Sequence, residues 1–554
     1  MNDEFYLFIL AQLFNKLLII ACRKVVTHNL EFCANLLNIC SDMPSGSEIY
    51  PSASDDLCRA FYLRPVFHFD LPKILDQLTF HPEAPLLFSS GLFLFLFLGF
   101  FAVYQLLLGR DRLRITWVTL FSLYFYYKCA GIFWLLHVVI VVVDFHLARW
   151  MERAPSRAGR VALLVISLVV NLGMLVYFKY TNYFYELWAG LTGGPFDPLS
   201  IILPAGISFF TFQSLSYTID VYRGQLKATD SMLDYAFFVT FFPQMLAGPI
   251  VRAADFLPQI HRKPFVSRED FGRAVFLFGS GLFKKAVISD YISVNFVERV
   301  FDSPQQYTGL ENLIGVYGYA LQIYCDFSGY SDMAIALALV LGFHFPLNFN
   351  SPYQSLSITE FWRRWHISLS TWLRDYLYIP LGGNRKGRLR TYINLLLTML
   401  LGGLWHGAGT RFVIWGGLHG LGLAVERGFR ELFPGTPGAL RRFLGGLFTF
   451  HFVCFCWIFF RAENMDIARS ILYQIFLDFR PEILPEFLAG YAMVVFWMAL
   501  GFALHFMPPS WEAAGQRGVT ALPLLGKAVL LMLLVALVMQ VKSADVQPFI
   551  YFQF

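Results

Sequence analysis

Charge is what this sequence has least of. Of its 554 residues only 15% are charged and 57% are hydrophobic, against about 25% and about 45–50% in a soluble domain. A chain this long and this apolar lacks the polar surface to cover itself in water, so its solvent is lipid. The same shortage rules out a disordered chain and a nucleic-acid-binding domain as descriptions of the whole. The net charge of +5 is small, and its placement matters more than its sum. Cysteine is sparse as well: eight residues with no C-x-x-C pair fit no disulfide framework. Cys22, Cys33, Cys40 and Cys58 fall early, and Cys129, Cys325, Cys454 and Cys456 lie in or beside apolar runs, where they read as core or lipid-facing. Several catalytic signatures are missing. There is no G-x-x-x-x-G-K-[ST], H-E-x-x-H or G-x-S-x-G, and Gly279-Ser-Gly281 lacks the strand-to-helix context of a phosphate loop. ATP hydrolysis, zinc proteolysis and serine-esterase chemistry are unsupported, and no metal site is expected. No period of 20–50 residues appears, which excludes a solenoid.

What is present is a succession of apolar runs: 92–108, 115–127, 132–143, 161–178, 274–287, 313–323, 333–345, 393–404, 413–425, 443–460, 487–506 and 528–541. At roughly 20 apolar residues per span, the length predicts an all-α polytopic membrane protein with about 10–13 transmembrane or re-entrant helices. Several runs are shorter than a full span. They predict tilted or broken helices, which lipid tolerates only where protein or a water-filled cavity covers the backbone. The 18% aromatic content suits the lining of such a cavity. Arg110, Arg112 and Arg114, then Arg149, Arg153, Arg157 and Arg160, mark cytoplasmic loops. The strongest basic stretch holds Arg363, Arg364, Arg374, Arg385, Lys386, Arg388 and Arg390 against the single acid Asp375. Residues 1–85 differ in character. An apolar run over 5–22, broken by Gln12, Asn15 and Lys16, reads as an uncleaved anchor or an interfacial helix, because no A-x-A-like site follows it. A start codon assigned too far upstream would also produce such a segment.

Ser357-Ile-Thr-Glu360 is a capping box and predicts a helix that Pro380-Leu-Gly-Gly383 ends. On a wheel of about 100° per residue, Trp362, Trp365, His366, Leu369, Trp372, Leu373 and Tyr376 share roughly 120°, opposite Arg363, Arg364, Arg374 and Asp375. This is the pattern of a helix in the membrane interface, with guanidinium groups toward headgroups or an anionic ligand. His366 sits on the apolar face, either as an interfacial histidine bonded to a carbonyl or as a substrate-positioning imidazole. His406 follows a long apolar approach in LGGLWHGAG (401–409), among glycines that permit close approach of a helix or ligand. An intramembrane ionisable residue marks a functional site by default, although tight helix contacts around a structural histidine would use the same glycines. His419 is a weaker candidate. Asp326 and Asp332, six residues apart in YCDFSGYSD (324–332), share no helix face unless Gly329 breaks the helix. They orient histidines or serve as buried structural acids. Asp220 and Arg223 are expected to form an ion pair.

Taken together, LPAGISFFTFQSLSYTIDVYRG (203–224), the Asp326–Asp332 motif, FWRRWHISLS (361–370), LWHG (404–407) and CWIFFRA (456–462) resemble the membrane-bound O-acyltransferase (MBOAT) family. Within it the chain resembles the bacterial subgroup that includes the membrane subunit of alginate O-acetylation, and more distantly the D-alanyl transferase of teichoic acid modification. The resemblance runs over 86–554, leaving 1–85 as an N-terminal extension without a recognised counterpart. It implies helices around a central funnel, with His406 as the family's deep histidine and His366 as its second. It also implies transfer of an acyl group, acetyl in the simplest case, from a cytoplasmic thioester, acetyl-CoA or a carrier-linked donor, to a hydroxyl at or beyond the other membrane face. No tightly bound cofactor is implied. The expected roles are His406 as general base and His366 as an orienting group. Trp405, Asp326 and Asp332 are expected near the substrate, and Arg363, Arg364, Arg374, Arg385, Lys386 and Arg388 on donor phosphates. Expected partners are the thioester donor, a polysaccharide acceptor, an extracytoplasmic SGNH-hydrolase-like acetyltransferase and membrane lipid. Nucleic acid is not among them. Two other classes fit the composition: an export channel for an acylated lipid or polysaccharide, although no paired half-repeats are visible, and a non-catalytic scaffold. The location expected is the bacterial cytoplasmic membrane.

Overall fold

Apolar runs with few breakers make helices here, as the composition requires. The structure is a computed structural model that describes residues 71–435, 438–541 and 549–550. The expected run over 5–22, the four early cysteines and most of the 1–85 extension lie outside the described residues. The chain divides into two units, Met1–Asp76 and Gln77–Phe554, and the helices that carry the site belong to the second.

Every regular element among the described residues is helical. Five helical stretches are long and apolar enough to cross a membrane: Asp111–Arg153, Arg157–Thr192, Gly309–Val340, Ala439–Arg461 and Leu524–Val541. A sixth forms if Pro481–Gly490 and Ala492–His505, bent by 97°, count as one broken span. Gly91–Leu106 is apolar but shorter than a full span, as the short runs predicted. Leu106, Leu191, Leu440 and Met539 are each more than 70% exposed, and many other large apolar side chains share that outer surface. A surface of this kind belongs in hydrocarbon, not water.

The enclosed centre is the Gly309–Val340 helix, which fuses the two runs read separately at 313–323 and 333–345. A complete capping box starts it: Thr308 Oγ1 accepts from the Glu311 amide, and Glu311 Oε2 accepts from the Thr308 amide at 2.8 Å. Gly329 does not break it. The glycine instead lets the Arg268–Leu282 helix and its π-helical continuation Phe283–Ser289 come close, since a Cβ on Gly281 or Gly329 would meet the other's carbonyl oxygen at 2.5 or 2.7 Å. Asp332 pairs there with Lys284 at 2.5 Å and Asp326 with Lys285 at 2.6 Å. Consecutive lysines on the neighbour thus serve carboxylates that one helix face could not present together.

Glycine also sets the contact that frames the site. The Arg388–His406 and Thr410–Leu432 helices form an antiparallel hairpin. A Cβ on Gly403 would run into the Phe412 carbonyl, one on Gly407 into the Phe412 ring, and one on Gly416 into the Met399 carbonyl. Close approach, the first reading of these glycines, is what they provide.

Candidate functional site

His406 ends its helix, and the last carbonyls of an α-helix have no partner within it. Here Lys179 Nζ donates to the carbonyls of Trp405 and His406 at 2.8 and 2.9 Å, and the Tyr180 hydroxyl donates to that of Leu404 at 2.6 Å. A cation at a helix C-terminus also opposes the negative end of the helix dipole. Lys179 and Tyr180 lie in the π-helical turn Val176–Tyr180, a type of irregularity frequent at functional sites. The His406 ring is buried among Trp405, Trp415 and Phe460, with ring centroids at 5.0, 4.9 and 5.3 Å. Trp405 Nε1 donates to the Ser208 carbonyl at 3.3 Å. Ser208 sits in the first turn of Ile207–Tyr222, whose cap Gly206 has φ +73° and lies where a Cβ would meet the Met245 carbonyl at 2.6 Å.

His366 does not lie within a continuous interfacial helix. The expected element is two short helices, Ile358–Arg364 and Ile367–Leu373, followed by the π-helical turn Arg374–Tyr378. Half of the capping box forms: Ser357 Oγ accepts from the Glu360 amide, while Glu360 bonds the Leu356 amide and Arg364 instead of its own cap. The break falls on His366, whose φ of 42° is one of two positive values at non-glycine residues among those described. Such a conformation persists only where surroundings enforce it. Asn348 supplies the enforcement: its carbonyl accepts from the Ile367 amide at 2.9 Å, and its side-chain oxygen accepts from Ser368 Oγ at 2.9 Å and lies 3.2 Å from His366 Nδ1. With Nδ1–H donated to Asn348, Nε2 is the basic nitrogen. The aromatic face of this segment is covered by protein, not lipid. Trp365, His366 and Leu369 are fully buried, and His366 stacks among Phe209, Phe327 and Phe349. The Trp405 indole, 5.9 Å from His366 and 5.0 Å from His406, joins the two histidines.

Against the opposite side of the broken helix lies a cavity of about 690 Å³. Trp362, Ile367, Leu373, Leu395, Met399 and Leu423 give it an apolar wall, and Arg363, Arg374, Arg427 and Arg430 line it together with Glu431; Arg374, Arg427 and Arg430 are paired with Asp375, Glu431 and Glu426. Trp362 connects it to the interior, since its Nε1 donates to His419 Nδ1 at 3.3 Å and its ring lies 5.7 Å from Trp415.

Of the residues singled out in the sequence, His366, Trp405 and His406 come together, and Arg363 and Arg374 line the cavity. Arg364 turns away to Glu360 at 2.8 Å and to the Asn350 carbonyl. Arg385, Lys386 and Arg388 are exposed and do not line the cavity, and Arg388 sits 3.6 Å from Glu431. Asp326 and Asp332 are held in the lysine pairs, and Asp326 also accepts from the Ile550 amide at 3.0 Å. Phe327, next to Asp326 in sequence, packs against His366 with ring centroids 4.7 Å apart. Asp220 and Arg223 do not pair as expected: Asp220 accepts from the Tyr376 hydroxyl at 2.8 Å, and Arg223 stacks over the Tyr376 ring. No group of three or more metal-ligating side chains occurs among the described residues. Sequence reading missed Lys179, Tyr180, Asn348, Arg427 and Arg430. Lys179 carried a signal, a lone ammonium at the end of the 161–178 run, whereas Asn348 and the two arginines carried none before the fold brought them in.

Long apolar helices around buried histidines, with a cavity along the outer side of the broken helix, define a multi-pass membrane protein. The chain belongs to the MBOAT, membrane-bound O-acyltransferase family, whose model matches residues 15–465. The match begins within the N-terminal segment set apart above. The chain is 39% identical over 495 residues to the probable alginate O-acetylase AlgI of Pseudomonas putida, covering 85% of this chain and all of that protein. It is 37% identical over 418 residues to the peptidoglycan O-acetyltransferase of Helicobacter pylori, covering 70% of this chain and 79% of that one. It is 28% identical to the teichoic acid D-alanyltransferase of Bacillus subtilis, over 48% of this chain and 70% of that one. The protein is a membrane O-acyltransferase.

Proposed function

We propose that this enzyme takes an acetyl group from a cytoplasmic thioester, acetyl-CoA or a carrier-linked donor, and delivers it to a hydroxyl of an exported polysaccharide, directly or through an extracytoplasmic acetyltransferase of the SGNH-hydrolase type, from the bacterial cytoplasmic membrane. The observation that carries this reading is the clamped end of the His406 helix, whose imidazole is linked through the Trp415 ring to the Trp362 wall of the arginine-lined cavity. The apolar wall suits a pantetheine arm, and Arg363, Arg374, Arg427 and Arg430 suit the phosphates at its end. The names of the relatives above, acetylases of two different surface polymers, support an acetyl group and a polymer hydroxyl.

A hydroxyl is a poor nucleophile at neutral pH. His406 accepts its proton as it attacks the thioester carbonyl, a contribution worth about 10²–10⁴-fold. His366, with Nδ1 fixed on Asn348, orients the reacting groups across Trp405. The proton then leaves with the thiolate, so the reaction needs no bound metal or cofactor. No observation favours the channel or scaffold reading, and membership of an acyltransferase family removes the need for either.

The test is directional. Inverted membrane vesicles expose the cytoplasmic face, and radiolabelled acetyl-CoA added outside them is expected to yield base-labile ester on polysaccharide. Label that appears only when the donor is enclosed on the other side would overturn the reading.

A further inference from the structure

The Thr410–Leu432 helix brings two further groups to His406. Trp415 and His419 are four residues apart, on one helix face, and both are fully buried. Their rings are 4.8 Å apart, and Trp415 stands 4.9 Å from His406, nearly edge-on at 80°. Because His419 Nδ1 accepts from Trp362, the neutral ring carries its proton on Nε2. That Nε2–H has no hydrogen-bond partner among the described residues, and neither has the Trp415 Nε1–H. Buried donors are nearly always paired. Two unpaired donors on neighbouring rings, one of them beside the His406 ring, are the kind of group that stabilises an oxygen that acquires charge only during reaction.

We infer that Trp415 Nε1–H and His419 Nε2–H are the oxyanion-binding pair of the acyl transfer; this rests on the reading of His406 as base. When the acceptor oxygen adds to the thioester carbon, a C–O bond forms, the hydroxyl proton passes to His406 and the carbonyl oxygen becomes an oxyanion held by the two N–H groups. Collapse restores C=O and breaks the C–S bond, and the leaving thiolate takes the proton from His406. Trp362 gives the pair a link to the donor side, because the indole that lines the cavity also fixes which nitrogen of His419 carries hydrogen.

The experiment measures acetyl-CoA turnover in inverted membrane vesicles carrying the full chain, as wild type, His419→Phe, His419→Gln, Trp415→Phe and His406→Ala. Removing one such donor lowers kcat by about 10²–10³-fold, so His419→Phe and Trp415→Phe are expected to lose about that much. KM for acetyl-CoA and the amount of protein in the membrane should stay within about twofold, and His419→Gln, which retains an N–H, should recover at least about tenfold of the loss. Hydroxylamine needs no base and should restore turnover to His406→Ala but not to His419→Phe. A kcat within about threefold of wild type in both aromatic variants, or equal rescue of His419→Phe by hydroxylamine, overturns the inference. If His419→Phe is lost from the membrane, Trp415→Phe, which keeps a ring of similar shape, decides by the same criteria. Transfer retained by His406→Ala removes the base itself, whereas His406-dependent transfer with neutral His419→Phe removes only the oxyanion pair.

Discussion

At the scale of single residues, the side chain proposed as base and the side chain that clamps the end of its helix come from opposite halves of the sequence. Lys179 bonds carbonyls 226 and 227 positions further on, so it sets where the His406 imidazole stands without touching it. Lys179→Met removes a charge–dipole contact worth about 0.3–2 kcal/mol, and kcat is expected to fall by up to about thirtyfold while KM for the donor holds. Lys179→Arg should restore most of it. A second prediction concerns His366. Asn tolerates the left-handed conformation that His366 adopts, so His366→Asn should reach the membrane at wild-type abundance and still transfer acetyl at least about tenfold more slowly. Quantitative blotting alongside the transfer assay checks both variants. His406 stands out in the sequence because an ionisable ring in an apolar run is costly, and His366 because it falls on the apolar face of the 357–376 wheel. Lys179 carries the same kind of signal but not its partners, which are backbone carbonyls, and Asn348 carries none because folding alone brings it to His366.

At the scale of elements, close helix contact and a broken helix do the positioning. Gly403→Ala places a methyl on the Phe412 carbonyl and should separate the hairpin that carries His406, Trp415 and His419. The expected result is a fall of several degrees in melting temperature in detergent together with loss of activity. Gly99→Ala in the Gly91–Leu106 helix meets nothing within 4 Å and should leave both unchanged or slightly raise stability. The turn after the broken helix makes a pH prediction. Burial pushes the Asp375 carboxyl up, but hydrogen bonds from Arg374 and Arg252 outweigh that and hold it below its usual value. A carboxyl depressed in the folded state contributes stability above its unfolded pKa, about 3.9, and loses it as pH falls through the lower folded value. Asp375→Asn should therefore melt below wild type at pH 7, and the gap should close toward pH 3. The amphipathic pattern of 357–376 was readable from spacing, and so was the glycine-mediated approach at 401–409. The break at His366 was not, because periodicity cannot register a single residue that Asn348 forces out of helical geometry.

At the scale of the whole molecule, scarce charge and abundant apolar surface fixed an all-helical membrane protein before any motif was read. Which arginines line the cavity follows from tertiary contacts, since Arg427 and Arg430 come from a helix that the basic stretch at 363–390 does not include. Arg363→Glu should raise KM for acetyl-CoA about tenfold and flatten its salt dependence, whereas Arg385→Glu with Lys386→Glu, outside the cavity, should change KM less than about threefold. The central claim is that His406 takes the acceptor's proton inside the membrane. Its most direct test is the O-acetyl ester content of the exported polysaccharide in cells carrying His406→Ala at wild-type membrane abundance. The account predicts a fall of at least about a hundredfold, and acetylation retained near the wild-type level would contradict it.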